Sequence, residues 1–361
     1  MKIRITSGML MALVINMIYA KSIGITQGIA AREVGADMWI ATLFSIMQGA
    51  FMIWLTAVAV RRAGGKELID AVGIHMGKWT GKAAALLMFL FFTGAFAGVM
   101  ITFVYHLMDY FLPQVPVYVF IIIPLAVGCF GAFHGLEVMA RMAFVGVFTI
   151  LCLNISLLAG SFYEFDIRNL APVLQNGVGA TLWASRHNDT EWAVAVMMAA
   201  IILPLVNNRS NWGKSSVVSM LMGGLLVVMW PLMEAGVLSA EVAGQYVVAC
   251  MQMARSAHLG HFIHRYEMIM IVFFATSTMV QIMMCLFCAS HCLSKTFGIK
   301  DYRPLLVPAA LVLGAFSYWI VTNHFRAMRW EEAYWPYISL PIAIALPLLL
   351  LAGGMIRRSK S

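Results

Sequence analysis

Lys21-Ser22-Ile23-Gly24-Ile25-Thr26-Gln27-Gly28 lies inside an otherwise apolar stretch running from residue 7 to residue 31, and how it is read decides the fold. A helix crossing a bilayer satisfies its backbone groups internally, and each N–H or C=O left unpaired against lipid costs several kcal/mol. Polar and helix-breaking residues at mid-span therefore persist only where the break is buried in protein or lines a watery cavity. A second stretch repeats the pattern: from Thr181 the chain passes through Ser185-Arg186-His187-Asn188-Asp189-Thr190-Glu191 before the apolar run Trp192 to Val206. Two interrupted spans in corresponding positions of two halves are the sequence mark of a secondary-transporter substrate site.

The rest of the chain supports a membrane reading. Of 361 residues, 62% are hydrophobic and 11% charged, against about 25% charged in soluble domains; mean hydropathy is +0.86. The first segment reads as a retained span, because Met1-Lys2-Ile3-Arg4 leads into it with no small-residue cleavage site. The net charge of +8 does not indicate nucleic-acid binding, since the cations fall in short clusters between apolar runs. The six cysteines show no framework spacing, and most lie in apolar segments where a thiol behaves as a small hydrophobe.

With about 20 apolar residues per crossing, ten spans are expected near residues 7–31, 37–60, 83–112, 117–133, 142–162, 178–206, 214–238, 267–294, 305–321 and 334–356. The runs are continuous rather than alternating, which excludes a strand barrel. Residues 67–78 read as an amphipathic helix between the second and third spans. Lys and Arg gather in the segments sharing the side of the N-terminus, among them Arg61, Arg62, Lys66, Lys78, Lys82, Lys295 and Lys300. That bias predicts both termini in the cytoplasm. The expected fold is all-α and membrane-integral: ten transmembrane helices in a five-plus-five inverted repeat, about 7–162 and 178–356, with helices 1 and 6 discontinuous.

A family resemblance enters through Ile23-Gly24-Ile25-Thr26-Gln27-Gly28 and the following Ala31-Arg32-Glu33-Val34-Gly35-Ala36-Asp37-Met38-Trp39-Ile40. Gly77-Lys78-Trp79-Thr80-Gly81-Lys82, His134-Gly135-Leu136-Glu137-Val138-Met139-Ala140-Arg141, Asn169-Leu170-Ala171-Pro172-Val173-Leu174 and Gly260-His261-Phe262-Ile263-His264-Arg265-Tyr266-Glu267 extend it along nearly the whole chain. The chain resembles the B subunit of bacterial spore germinant receptors, the endospore germination permeases. The resemblance implies the inverted-repeat fold of the amino acid–polyamine–organocation superfamily and residence in the spore inner membrane. It also implies recognition of a small germinant, expected to be an amino acid, and assembly with an A subunit and a lipoprotein C subunit. This chain departs from the family at the sixth-helix break, where Arg186-His187-Asn188-Asp189 replace a more apolar, glycine-bearing segment, so the resemblance does not name the amino acid.

Unwinding a helix supplies both halves of a zwitterion site: N–H groups opening the outer half-helix attract a carboxylate, and carbonyls ending the inner half attract an ammonium. On that basis Ile23, Gly24, Ile25, Thr26 and Gln27 form one wall of the expected pocket; the alternative is that the glycines serve tight helix packing. Lys21 falls ~20 Å along its helix at ~1.5 Å per residue, where a charge is costly and usually functional. It either pairs with a carboxylate, stands in for a coupling cation, or snorkels to an interface. Ser185, Asn188, Asp189, Thr190 and Glu191 are candidate ligand contacts, with capping of the following half-helix as the plain reading of the two acids. Thr276, Ser277, Thr278 and Gln281 either face the pocket or bond to neighbouring helices, and Asp109 is a weaker candidate for a gate.

His258, His261 and His264 near Glu267, and Cys285, Cys288, His291 and Cys292, carry metal-binding side chains. Neither cluster has a second ligand pair at standard spacing, so no metal and no cofactor is expected. No nucleophile elbow, phosphate-binding loop or dinucleotide fingerprint occurs, and no enzyme activity is expected. Three functions remain: a germinant-sensing subunit signalling to partners, a proton- or cation-coupled amino acid transporter, or a scaffold without a ligand.

Overall fold

The structure, a computed structural model, describes residues 5–258 and 266–358. Among these residues the chain is almost wholly helical, and strand pairing is limited to an isolated bridge between Ile5 and Val206. Thr6 starts α1 (Ser7–Ser22) by accepting the Met9 N–H, and after a break α2 (Ile25–Val34) completes the first crossing. The chain turns at Gly35, where φ is 60°, and α3 (Met38–Arg62) returns to the starting face. There Gly65 accepts a bond from Arg209, next to the Ile5 N–H to Leu205 carbonyl bond of 3.0 Å.

The surface helix α4 (Leu68–Met76) precedes α5 (Lys78–Tyr110), α6 (Val117–His134) and α7 (Leu136–Ser161). The sixth crossing is α8 (Gly177–Ala184) followed by α9 (Arg186–Ile202), and α10 (Trp212–Leu238) is the seventh. Two short helices, α11 (Ala240–Ala243) and α12 (Ala249–Ser256), then lie across the far face. The chain finishes with α13 (Tyr266–Phe297), α14 (Leu306–Val321), and a last crossing made of α15 (His324–Arg329), a π-helical turn Trp330–Tyr334 and α16 (Trp335–Arg358). Among the described residues, nine helical stretches are long and apolar enough to cross a membrane. The first of the nine, Ile25–Arg62, joins α2 to α3; dividing it at the Gly35 turn, with the 16-residue α1 leading into α2, gives ten crossings.

Packing separates a lipid-facing shell from a buried centre. Phe130, Phe148 and Leu311 on α6, α7 and α14 are exposed apolar residues, as a bilayer requires. α1 and α9, by contrast, are buried nearly all round, the signature of a helix enclosed by others. Small residues let them approach: a Cβ on Gly146 would lie 2.1 Å from Asn16, and one on Gly49 would lie 2.8 Å from Trp192. The last crossing differs most from its expected bounds, beginning at His324 rather than near residue 334. Glu331 and Glu332 look like loop residues in the sequence, but each meets a cation from the first crossing, so the helix can extend through them.

Candidate functional site

The first helix opens at Gly24, which adopts φ −90° and ψ −117° between α1 and α2. No side chain caps α2, so the first N–H groups after the break retain donor capacity and the positive end of the helix dipole. Gln27 steadies the break by donating from Nε2 to the Ser22 carbonyl at 2.7 Å. Gly24 is required by close approach: a Cβ there would stand 2.4 Å from Thr102 Cγ2 and 3.1 Å from His106 Cε1. Around this point Ser22 Oγ, Thr102 Oγ1, Gln27 Oε1 and Asp189 Oδ1 are buried without a hydrogen-bond partner among the described residues. Buried polar atoms are normally paired, and these four gather at the break.

The interruption in the sixth crossing is milder. It falls at Ser185, whose backbone stays helical at φ −58° and ψ −22°, and the Asp189 N–H still reaches the Ser185 carbonyl at 3.0 Å. Ser185 Oγ donates to the Leu182 carbonyl at 2.7 Å and accepts from Gln48 at 2.9 Å. Asn188 reaches Thr42 at 3.1 Å and lies 3.5 Å from Gln27 Nε2. Thr190 Oγ1 lies 3.1 Å from Glu191 Oε1. Asn188, Asp189, Thr190 and Glu191 are all buried.

Lys21 is 3% exposed and lies between two carboxylates, pairing with Glu191 of α9 and with Glu331 at 2.8 Å. Its place in the last turn of α1 suits a cation, which the negative end of the helix favours. Gly98 on α5 makes room for the trio, because a Cβ there would lie 2.4 Å from Lys21 Cε and 2.7 Å from Glu331 Oε1. A second layer of ion pairs lies beyond the break. Glu33 takes Arg186 at 2.7 Å and His187 at 2.9 Å, and Arg32 takes Glu332 at 2.7 Å.

The eighth-crossing residues divide. Gln281 donates to the carbonyls of Asn16 at 3.0 Å and Met17 at 2.8 Å, and Ser277 reaches the Asn16 carbonyl at 3.3 Å; both hold α1 below the break. Thr278 and Thr276 bond to carbonyls of their own helix, and Asp109 is exposed at the end of α5. Sequence reasoning missed Glu331 because the last span was begun too late, and missed Gly98 because only the packing reveals its role. The Glu331-Glu332 pair directly ahead of an apolar run was the available signal, given an unpaired Lys21 in mid-span.

Of the two metal-like clusters, His261 and His264 lie outside the described residues. Cys285, Cys288 and Cys292 are buried free thiols, while His291 bonds to Glu67 at 2.7 Å.

The spore germination protein family, the spore permeases, matches residues 4–326. Spore germination protein KB of Bacillus subtilis (strain 168) is 24% identical across 97% of this chain and 94% of its own length. Spore germination protein A2 of the same organism is 22% identical across 84% and 83%. Among solved structures, a substrate-bound, outward-open Na+-coupled sialic acid symporter superposes with a TM-score of 0.68 at 8% identity, covering 95% of this chain and 79% of its own. The nucleobase-cation-symport-1 transporter Mhp1, closed on bromovinylhydantoin, gives 0.65 at 13% identity, with 91% and 74% covered. MhsT in complex with L-phenylalanine gives 0.63 at 11% identity, with 96% and 98% covered. At these identities the likeness is one of fold, and it is the transporter fold expected from the sequence. The chain is a multi-pass membrane protein and belongs to the spore germination protein family.

Proposed function

We propose that this chain is the permease-like, germinant-sensing subunit of a spore germination receptor, binding a small nutrient at the break of the first helix. The observation carrying this reading is the uncapped start of α2 at Gly24, set among buried polar atoms that lack partners. The nutrient is an amino acid, its carboxylate received by the N–H groups of residues 25–27; MhsT, which shares the fold, is a complex with L-phenylalanine. Ile23, Gly24, Ile25, Thr26 and Gln27 form one wall. Ser185, Asn188, Asp189, Thr190 and Glu191 form the facing wall, with Thr276, Ser277, Thr278 and Gln281 supporting from the eighth crossing. Ligand preference for one arrangement of the first and sixth helices drives the response, since a ligand shifts an equilibrium only by its differential affinity.

In this reading the halves, about 7–162 and 178–356, are inverted repeats. The protein resides in the spore inner membrane with both termini cytoplasmic, and it passes its state to A and C subunits. Gly24→Ala tests it: the added methyl overlaps Thr102, so the germinant response should vanish while protein level holds. An unchanged response rejects the site.

The second reading is a proton- or cation-coupled amino acid transporter. It is favoured by the trio of Lys21, Glu191 and Glu331, in which two carboxylates face one ammonium and an additional cation could be bound. Liposomes holding the purified chain would accumulate labelled amino acid under a proton or sodium gradient if it transports, and would not if it only senses.

A further inference from the structure

Glu234 lies in the interior of α10, is 0% exposed, and has no hydrogen-bond partner on either carboxyl oxygen among the described residues. Its depth coincides with the break in the first helix. One turn earlier, Trp230 Nε1 donates to the Tyr19 hydroxyl at 2.8 Å, on α1 just short of the break. One residue later, Ala235 packs with Ala30 and Ala31 of α2, past the break. Sideways, α12, which carries Cys250, packs against α10. Cys250 Sγ in turn lies 3.4 Å from His106 Nε2, and His106 Cε1 is 3.1 Å from where a Gly24 Cβ would be. The helix of Glu234, then Cys250, His106 and Gly24 are therefore linked one to the next around the break.

A buried carboxylate without donors is among the costliest groups a fold can hold. The nearby cations are engaged: Lys21 with Glu191 and Glu331, Arg32 with Glu332, and Arg186 with Glu33. Two other acids here have an oxygen without a hydrogen-bond partner among the described residues: Glu331 pairs with Lys21, and Asp189 lies in the first turn of α9, where helix N–H groups favour negative charge. Glu234 lies in the interior of its own helix, away from that helix's N-terminus. We propose that Glu234 is the counter-charge for the ligand's ammonium group, so that the ligand is a primary amine or zwitterion spanning from α10 to the open start of α2. A primary ammonium carries three donors and answers both carboxyl oxygens, which a quaternary amine does not. The proposal rests on the reading of the break as a ligand site and adds to it the charge of the ligand and the residue that meets it.

The test uses the purified full chain and thermal shifts with the twenty common L-amino acids. Each one that stabilises the protein is retested as its N-acetyl derivative, which lacks the cation, and as its decarboxylated amine, which lacks the anion. The N-acetyl forms should fail, the amines should retain weakened binding, and Glu234→Gln should weaken binding at least tenfold while its ligand-free melting temperature equals or exceeds that of the unaltered chain. Glu234→Asp, keeping the charge on a shorter arm, should fall between. Undiminished affinity in Glu234→Gln, or N-acetyl derivatives binding like their parents, overturns the proposal while leaving the ligand site standing. If no amino acid or amine stabilises the unaltered chain, the amino acid reading fails and takes the proposal with it.

Discussion

Glu331 and Glu332 are neighbours on one π-helical turn, yet they grip opposite halves of the broken first helix: Glu331 holds Lys21 at 2.8 Å on α1, and Glu332 holds Arg32 at 2.7 Å on α2. The extra residue in a π turn changes the angle between successive side chains, and such turns are frequent at functional sites. Any tilt of α2 against α1 is therefore felt at one point of the last crossing. The two pairs differ in setting. Lys21 and Glu331 are buried, whereas Arg32 and Glu332 are 39% and 40% exposed.

Removing Lys21 should be far more damaging than removing either of its partners. Lys21→Met leaves two carboxylates buried together, and breaking a buried pair from one side costs about 3–5 kcal/mol. Glu331→Gln leaves Lys21 with Glu191 and should cost much less. Melting temperatures of the purified variants check this order. Adding Glu191→Gln and Glu331→Gln to Lys21→Met should restore most of the loss, because no lone charge then remains.

Glu332→Gln should lower stability by less than about 1 kcal/mol, as expected of an exposed pair. Its effect should appear in access instead. With Arg32 released, a cysteine placed at Thr26 should react faster with a water-soluble thiol reagent than it does with Glu332 intact. Equal labelling rates would show that the pair does not hold α2 in place.

What the sequence discloses depends on which residues carry their reason locally. Gly24 among polar neighbours announces a break, and Lys21 and Glu191 announce buried charge, so the break and the ion pair beside it were readable. Ser185 shows the limit of that logic: a run of polar residues looks the same whether the helix opens or merely turns a polar face inward, and here the helix barely opens. Glu331 was hidden because paired charges let a helix continue where hydropathy says it should stop. Glu234 was hidden because one acid barely alters the hydropathy of a 27-residue helix. Only the contacts of α10 on both sides of the break give it meaning.

Gly98→Ala should be costly and Gly179→Ala nearly silent. The first would push a methyl to 2.4 Å from Lys21 Cε, whereas nothing lies within 4 Å of a Cβ at Gly179. Overpacking a closed centre typically costs about 1–3 kcal/mol. Unfolding of the two purified variants, measured side by side, separates the steric effect from any general dislike of alanine in a crossing helix.

The surface helix α4 should loosen in acid through Glu67. Burial alone would raise this carboxyl, but the hydrogen bond from His291 and the charge of Lys295 outweigh burial and hold it down, from an ordinary 4.5 to about 2. Asp70 adds a second pair to Lys295 at 2.8 Å, so α4 is tied to the end of α13 by two carboxylates. A carboxyl depressed in the folded state contributes stability that is complete above its unfolded value and fades as pH falls through the folded one. The contribution should thus be intact at pH 7 and drain away between about 4.5 and 2. Spin labels on α4 and α13, followed by pulsed electron resonance, should separate across that interval. Glu67→Gln should show the wider distance already at pH 7; an unmoved distance in both cases would mean that apolar packing, not the ion pairs, anchors α4.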